Sequence, residues 1–312
     1  MSERFLGVDT SNYRTSAAVY DASNGAWQNE GGLLSVPDGK IGLRQSDALF
    51  QHTVRLHEKI EALPQGEVCA VGVSTRPRAV EGSYMPCFLA GESVARSAAH
   101  LLSVPLFAVS HQQGHLAAAA LSAGKLGLLE ETFLAWHLSG GTSELLLVSP
   151  GADGLPICTC IGGTTDLAAG QLVDRAGALL GLPFPSGASL DKLALCTAAD
   201  KGAQPKVTDC HFSLSGMQNQ IENQHKSGVS AEVLARFALE TVANAVVCAT
   251  AQARRQYAVP VLCAGGVMAS QVIRVRMEAA FSDCLFAEPA LSGDNAVGVA
   301  VLAARLYERN AK

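Results

Sequence analysis

The sequence contains few charged and few aromatic side chains, at 16% and 5% of its 312 residues. Its formal net charge at pH 7 is −5, so it lacks the basic excess that marks many nucleic-acid-binding domains. The sequence contains no Walker A motif, which would indicate a P-loop nucleotide site, and no HExxH motif, which would indicate a zinc peptidase. The chain is instead apolar and rich in glycine, with 48% hydrophobic residues and 30 glycines, which is typical of an α/β protein and argues against disorder.

Signals for secretion or membrane insertion are also missing. The first four residues lead directly into a predicted strand, so we expect no signal peptide. The longest apolar helical stretch, around residues 232–250, is interrupted by Arg236 and Glu240, and we do not expect it to span a bilayer. Nine scattered cysteines without the spacing of a disulfide framework predict reduced thiols. We therefore expect a cytoplasmic protein with no membrane partner.

A strand–turn–strand pattern occurs twice, at residues 5–20 and 133–148. Each turn is built from small hydroxyl-bearing or glycine residues, whose backbone N–H groups and hydroxyls can grip phosphate oxygens. One such hairpin is ordinary, but its duplication in a chain too long for a usual single core predicts a nucleotide held between two related lobes.

Two histidines, His111 and His115, begin an alanine-rich helix directly after an apolar strand. At positions i and i+4 both imidazoles leave the same face of the helix, so both can reach one metal ion. On the pair alone, the alternative of two histidines that contact only water stays open.

Three further segments are candidates for ligand binding. The strand that ends at Ala264 is followed by a glycine pair and a helix to about Phe281, whose first amides could meet a base, a ribose or a phosphate. The segment from Asp166 to Gly187 predicts a helix that places Asp174 on nearly the same face as Asp166. Asp294 precedes the last helix, either as its cap or as a ligand.

These motifs, in this order, resemble the TsaD family, the transferase that makes threonylcarbamoyladenosine in tRNA. The resemblance runs from about residue 5 to residue 305 and depends on six separated motifs, at residues 7–11, 111–115, 139–141, 212–216, 264–267 and 293–295. It implies the duplicated two-lobed α/β fold of actin, sugar kinases and Hsp70. The first lobe would span residues 1–108 with a C-terminal helix over about 295–312 packed on it, the second lobe residues 109–294, with metal and nucleotide in the cleft between them.

The resemblance also implies the ligands. One divalent ion, iron or zinc, would be held by His111, His115 and Asp294, with His137 at the position of a tyrosine ligand in the archaeal branch. His137 would complete a four-coordinate shell that suits either metal. The adenylate would bind the family positions that correspond to Ser139, Gly140, Gly141, Asp174 and Gly187, with Asp174 on the ribose hydroxyls. The predicted turns add further nucleotide or substrate contacts at Asp9, Ser11, Thr142, Gly265, Gly266 and Ser270.

The family reaction implied is attack of the exocyclic amine of an adenosine beside the anticodon on the carbonyl of threonylcarbamoyl-AMP, with loss of AMP. The ion would polarise that carbonyl and clamp the phosphate. An adenine nucleotide, as ATP or an acyl-AMP, is thus the expected substrate and tRNA a possible partner. A related subunit of the same fold and a small ATPase are the protein partners that the resemblance implies.

Several positions depart from the family pattern. Tyr13 and Arg14 stand where the family has an acidic pair, Ser270 replaces an asparagine, and Thr142 replaces a histidine or asparagine. The loop at residues 75–82 replaces a glycine-rich loop of the first lobe. The expected metal ligands are thus kept, while the surroundings of the substrate differ.

These departures keep two alternatives open. One is carbamoyl or acyl transfer to a different acceptor, whose carboxylate or phosphate would be recognised by Tyr13, Arg14, Arg76 and Arg78. The other is a non-catalytic nucleotide-binding protein that regulates related proteins. A metalloprotease is disfavoured, because Gln112 beside the first histidine cannot act as the general base that such an enzyme needs.

Overall fold

Both predicted hairpins are present, one in each of the two units into which the chain folds. The computed structural model describes residues 3–36, 43–288, 291 and 295–311. Unit 1 comprises Met1–Glu130, Pro150–Ile157 and Gly293–Lys312, and unit 2 comprises Glu131–Ser149 and Cys158–Ser292. Asp294, a predicted metal ligand, lies outside the described residues.

Unit 1 is built on a five-stranded sheet of order β3-β2-β1-β4-β5, in which β1 pairs antiparallel with β2 and parallel with β4. Its strands are β1 (Arg4–Thr10), β2 (Arg14–Asp21), β3 (Trp27–Leu33), β4 (Ala70–Arg76) and β5 (Leu106–Ser110). Its helices are α1 (Gln45–Glu61), α2 (Phe88–Leu102), α3 (His111–Ser122), a 3-10 helix (Leu126–Glu130) and the C-terminal α9 (Ala296–Asn310). Strands β1 and β2 are buried along nearly their whole length, because helices cover both faces of the sheet.

Helix α9 packs on β1 and on α3 with its backbone close to theirs. A Cβ atom on Gly7 of β1 would lie 2.1 Å from the Ala296 carbonyl oxygen, so only glycine permits this approach. Because α3 packs on α9, the chain as far as Glu130 stays with unit 1, whereas the expected boundary lay after residue 108.

Unit 2 is built on a seven-stranded sheet of order β12-β11-β6-β7-β8-β10-β9. Its strands are β6 (Phe133–Leu138), β7 (Ser143–Pro150), β8 (Pro156–Thr164), β9 (Val207–Thr208), β10 (His211–Phe212), β11 (Val261–Ala264) and β12 (Cys284–Phe286). Its helices are α4 (Ala169–Leu179), α5 (Gly187–Ala194), α6 (Ser215–Lys226), α7 (Ala231–Arg254) and α8 (Gln271–Ala280). The core contains the fully buried Trp136, whose indole N–H donates to Thr250 Oγ1 at 2.8 Å.

Within the described residues, α7 is the one helix long and apolar enough to cross a membrane by length and composition. Of its most apolar window, 78% is buried inside the protein, which is the behaviour of a core helix. Its buried Glu240 accepts hydrogen bonds from Arg236 and Arg276, so the charge in the apolar stretch is compensated by ion pairs.

Two helices start later than the sequence predicts. Helix α4 begins at Ala169, so the prediction that Asp166 and Asp174 share a helix face is wrong. The Asp166 carboxylate instead accepts hydrogen bonds from the hydroxyls of Ser213 and Ser215 and from backbone amides, which hold it in the loop before the helix. After the glycine pair, a 3-10 turn (Gly266–Ala269) precedes α8, because Ser270 caps α8 through its hydroxyl.

Candidate functional site

The two histidines of the HxxxH motif are positioned by the capping of α3. Ser110 Oγ accepts from the Gln113 amide at 3.3 Å, and Gln113 Oε1 accepts from the Ser110 amide at 2.8 Å, which forms a capping box. The helix therefore starts at His111. The rings of His111 and His115 lie side by side, with centroids 4.6 Å apart and planes at 73°.

The His111 ring is held from two sides. Its Nδ1 lies 2.9 Å and 3.1 Å from the two carboxylate oxygens of Asp9, whose side chain is 2% exposed. Asp9 also accepts from the hydroxyl of Ser74 on the neighbouring strand. The side-chain nitrogen of Asn295 lies next to both ring nitrogens, 2.5 Å from Nδ1 and 3.1 Å from Nε2. Asp9, predicted to contact nucleotide or substrate, thus lies against the histidine pair.

A divalent cation fits the histidine pair, because two adjacent imidazoles on one helix face are suitable donors for iron or zinc. Asn295 Oδ1, in the same cluster, is buried and has no hydrogen-bond partner among the described residues. Over the residues that the structure describes, no group of three or more His, Cys, Asp or Glu side chains is arranged for a metal. His137, a further predicted ligand, lies on β6 of unit 2, opposite Glu144 and beside Ala264 in the sheet.

The tip of the first hairpin is held by a buried histidine of α1. His52 Nε2 lies 2.7 Å from the carbonyl oxygen of Ser11, and its Nδ1 lies 2.6 Å from Thr15 Oγ1. A carbonyl only accepts, so Nε2 carries the proton and Nδ1 accepts from Thr15. Burial lowers the pKa of His52. The predicted binding residue Ser11 is therefore anchored through its backbone, while Tyr13 at the tip is 46% exposed.

The residues of unit 1 that depart from the family pattern lie at the tip of this hairpin and beside the start of α3. Arg14 begins β2, paired with Leu33. Arg76 pairs with Ser110 across an irregularity between β4 and β5, and the Gln112 amide donates to the Pro77 carbonyl at 3.0 Å. The loop that carries Arg76 and Arg78 therefore meets the first turn of α3, next to His111.

In unit 2, the tip of the second hairpin meets two other predicted segments. The turn is closed by a Ser139 amide that donates to the Thr142 carbonyl at 2.8 Å and by a Thr142 amide that donates to Ser139 Oγ at 3.2 Å. Gly170, in the first turn of α4, packs directly on Ser139 and Gly140. Gly265, with φ +97°, packs on the backbone of Leu138. The three motifs, far apart in sequence, are therefore adjacent in space.

A cavity of about 510 Å³ adjoins two of these segments, α4 and the glycine pair. Its walls come from α4, α5, α7 and the turn from the glycine pair to α8, and include the predicted residues Gly187, Gly266 and Ser270. Asp174 does not line it, but its carboxylate accepts from the Ser186 amide at 2.8 Å and so holds the start of α5, where Gly187 lies. The volume is that of a small-molecule site.

Asp191, which no sequence motif marks, lines the same cavity. Its carboxylate accepts from the Ser270 hydroxyl and from the Gln271 amide at 3.1 Å, at the N-terminus of α8. The one sequence feature that could have indicated Asp191 is its position one helical turn after Gly187. Ser270, which stands where the family pattern has an asparagine, thus donates a hydrogen bond to a carboxylate of the cavity wall. Two other side chains of the candidate sites, Ser74 and His52, carry no sequence signal that marks them.

A sequence model of the TsaD family, described as tRNA N6-adenosine threonylcarbamoyltransferase, matches residues 60–301. The protein of that name from Streptococcus suis (strain 05ZYH33) is 33% identical, over 97% of this chain and 92% of its own length. The one from Geobacter sulfurreducens is 34% identical over 68% of this chain and 64% of its own length.

Solved structures of low sequence identity share the fold. Full-length HypF in its phosphate- and nucleotide-bound form superposes with a TM-score of 0.62 at 14% identity, over 98% of this chain and 47% of that one. A ROK family glucokinase from Streptomyces griseus, in complex with glucose and AMPPNP, gives 0.53 at 14% identity, over 96% and 99% of the two chains. The predicted α/β fold of the actin and sugar kinase type is confirmed.

Proposed function

The chain belongs to the TsaD family, tRNA N6-adenosine threonylcarbamoyltransferase, and from this membership we propose how its residues serve the reaction. The protein is a transferase that moves a threonylcarbamoyl group from its adenylate to an adenosine of tRNA, in chemistry that depends on a divalent metal and on ATP. The observation that carries the residue assignments is the convergence of α4, α5 and the turn after the glycine pair, three separate segments of unit 2, around one cavity of about 510 Å³.

We assign the adenine nucleotide to unit 2. Gly187 and Gly266 leave space in the cavity wall, where the carboxylate of Asp191 is a natural acceptor for ribose hydroxyls. Asp174, whose carboxylate holds the start of α5 beside the cavity, is assigned to the ribose hydroxyls as well. The adjacent hairpin at residues 139–142 offers backbone amides and small hydroxyls to phosphate oxygens. Ser270 takes part by orienting Asp191, since its hydroxyl donates to that carboxylate.

We assign the divalent ion, as iron or zinc, to His111 and His115, with Asp294 and His137 as the remaining ligands. When bound, the ion supplies Lewis acidity toward the carbonyl and the phosphate of the adenylate. The protein itself contributes a fixed His111 ring, since the capping box sets the start of α3 and the contact with Asp9 holds the ring in one orientation.

Recognition of the rest of the substrate falls to the exposed Tyr13, Arg76 and Arg78 and the half-buried Arg14 of unit 1. Arg76 and Arg78 lie on the loop that meets the first turn of α3, and Tyr13 and Arg14 lie at the hairpin tip. Guanidinium groups bind carboxylates and phosphates in bidentate fashion, so they suit the threonine carboxylate or the phosphates of tRNA. These arginines place positive charge locally in a chain whose net charge is −5.

We further propose that the protein works in the cytoplasm together with a related subunit of the same fold and a small ATPase. Its cysteines support a reducing compartment: none of the nine forms a disulfide in the described part of the chain, and burial raises the pKa of Cys87 to about 12 and of Cys158 to about 12. Thiols of high pKa are poor nucleophiles and behave as ordinary packed side chains.

Nucleoside mass spectrometry of tRNA tests the function, in cells where this gene is the only copy of its family. Threonylcarbamoyladenosine at normal levels supports it, and we expect the modification to be lost in His111→Ala. His100→Ala is the matched control, because His100 is an exposed histidine at the end of α2 in the same unit. Absence of the modification from the unmutated protein, when it is folded and metal-loaded, would instead indicate another acceptor or a regulatory role.

A further inference from the structure

The contact between Asp9 and His111 joins two elements that are 102 residues apart in sequence. Both carboxylate oxygens face the Nδ1 atom, at 2.9 Å and 3.1 Å, and the carboxylate is almost completely shielded from solvent. A buried carboxylate is costly unless it is hydrogen-bonded, so this contact is a substantial interaction in unit 1. The sequence predicted a nucleotide or substrate contact for Asp9, but the carboxylate faces the ring.

The contacts of the ring select one tautomer. A carboxylate only accepts hydrogen bonds, so His111 Nδ1 carries the proton and donates it to Asp9. Nε2 then holds the lone pair. The Asn295 side-chain nitrogen lies 2.5 Å from Nδ1 and 3.1 Å from Nε2, beside the ring and not in line with the Nε2 lone pair. The nitrogen left to bind a cation is therefore Nε2.

The carboxylate is itself fixed by the sheet. The hydroxyl of Ser74, on β4, donates to Asp9 Oδ1 on β1, and both side chains are buried. The two strands are parallel neighbours, with Val8 beside Val73 in register. Since a strand in the middle of a sheet moves little, Ser74 and Asp9 give the His111 ring a rigid support.

We propose that the chain Ser74–Asp9–His111 is a positioning device for the divalent ion, which orients His111 and holds it in the tautomer that presents Nε2. This inference rests on the proposed role of His111 as a metal ligand. A carboxylate that accepts the second N–H of a ligating histidine orients the ring and strengthens it as a donor to the metal, and its loss typically weakens metal affinity about 10- to 100-fold. Asp9 acts through His111 and is not itself a ligand of the ion.

The test measures zinc affinity of the full chain by competition with a chromophoric chelator, with Zn²⁺ alone as the probe. We expect Asp9→Asn to weaken binding about 10- to 100-fold and Ser74→Ala to weaken it less. Ser16→Ala is the matched control for Ser74→Ala. Ser16 is buried opposite Asp9 in β2, but its hydroxyl has no hydrogen-bond partner among the described residues, so zinc affinity should not change.

A second readout separates positioning from a general loss of structure. In ¹⁵N-histidine-labelled protein without added metal, His111 should show the tautomer with the proton on Nδ1, and Asp9→Asn should shift it toward a mixture. The absorption spectrum of the Co²⁺ form should change in Asp9→Asn and remain as in the unmutated protein in Ser16→Ala.

The outcomes distinguish this inference from the metal assignment on which it rests. If His111→Ala keeps full zinc affinity, the assignment of the ion to His111 fails. If His111→Ala loses zinc while Asp9→Asn binds it as tightly as the unmutated protein with the same tautomer, the inference about Asp9 alone is overturned. Unchanged zinc affinity together with weakened nucleotide binding in Asp9→Asn would return Asp9 to the role predicted from sequence.

Discussion

Replacement of Gly298 by alanine should destabilise unit 1 and disturb the helix that carries the histidine pair. A Cβ atom on Gly298 in α9 would lie 1.9 Å from the Gly114 carbonyl oxygen and 2.7 Å from the Ala118 amide nitrogen of α3. Cβ atoms essentially never come closer than 3.0 Å to another heavy atom, so α9 would have to move away from α3 by about 1.1 Å. The atoms that it meets are backbone, which cannot rotate aside as a side chain can.

The magnitude follows from two opposing effects. Overpacking a core costs about 1–3 kcal/mol, and the rigid backbone of α3 places this case near the upper end. Alanine is better than glycine in a helix interior by about 1 kcal/mol, which offsets part of the cost. We therefore expect the free energy of unfolding to fall by about 2 kcal/mol. Because α3 carries His111 and His115, zinc affinity should fall as well.

Urea denaturation, followed by far-ultraviolet circular dichroism, measures the effect. Gly216→Ala is the control, since Gly216 lies in the first turn of α6 and a Cβ atom there would have no neighbour within 4 Å. That variant should be unchanged or stabilised by up to about 1 kcal/mol. A Gly298→Ala protein as stable as Gly216→Ala would refute the close packing of α9 on α3.

Three other changes have defined outcomes. Burial lowers the pKa of His52 below 6.5, so its contribution to stability is complete above pH 6.5 and is lost as the pH falls toward the native pKa. In His52→Gln, the urea concentration at the unfolding midpoint should therefore change less between pH 7.5 and 5 than in the unmutated protein. Burial opposes ionisation of Asp166, but hydrogen bonds from two serines and from backbone amides outweigh this effect and hold the pKa of Asp166 well below 3.8. In the same assay, Asp166→Asn should lower the free energy of unfolding at pH 7, and this free energy should fall less on acidification below pH 3.8 than in the unmutated protein. Trp136→Phe removes the hydrogen bond to Thr250 and leaves a cavity, so the free energy of unfolding should fall by about 1–3 kcal/mol. As the control, Trp27→Phe on exposed β3 should change it by less than about 0.5 kcal/mol.

Features that depend on a few neighbouring residues could be predicted from the sequence. The two hairpins are found at β1–β2 and β6–β7, because apolar strands and small turn residues act locally. Helix α3 starts at His111, because its capping residues lie within three positions of each other. The sequence wrongly predicts Asp166 on helix α4, because the hydrogen-bond partners that hold it in the preceding loop, Ser213 and Ser215, are 47 and 49 residues away.

The sequence alone therefore determined the fold type, the family and the adjacency of His111 and His115, since each depends on motif order or on helical period. Only the tertiary structure decided that Asp9 faces His111, that Asp191 joins Ser270 in a cavity wall, and that glycines let α9 approach β1 and α3. These contacts depend on which strands pair and which helices cross. Such long-range packing is a property of the whole chain, so no short stretch of sequence encodes it.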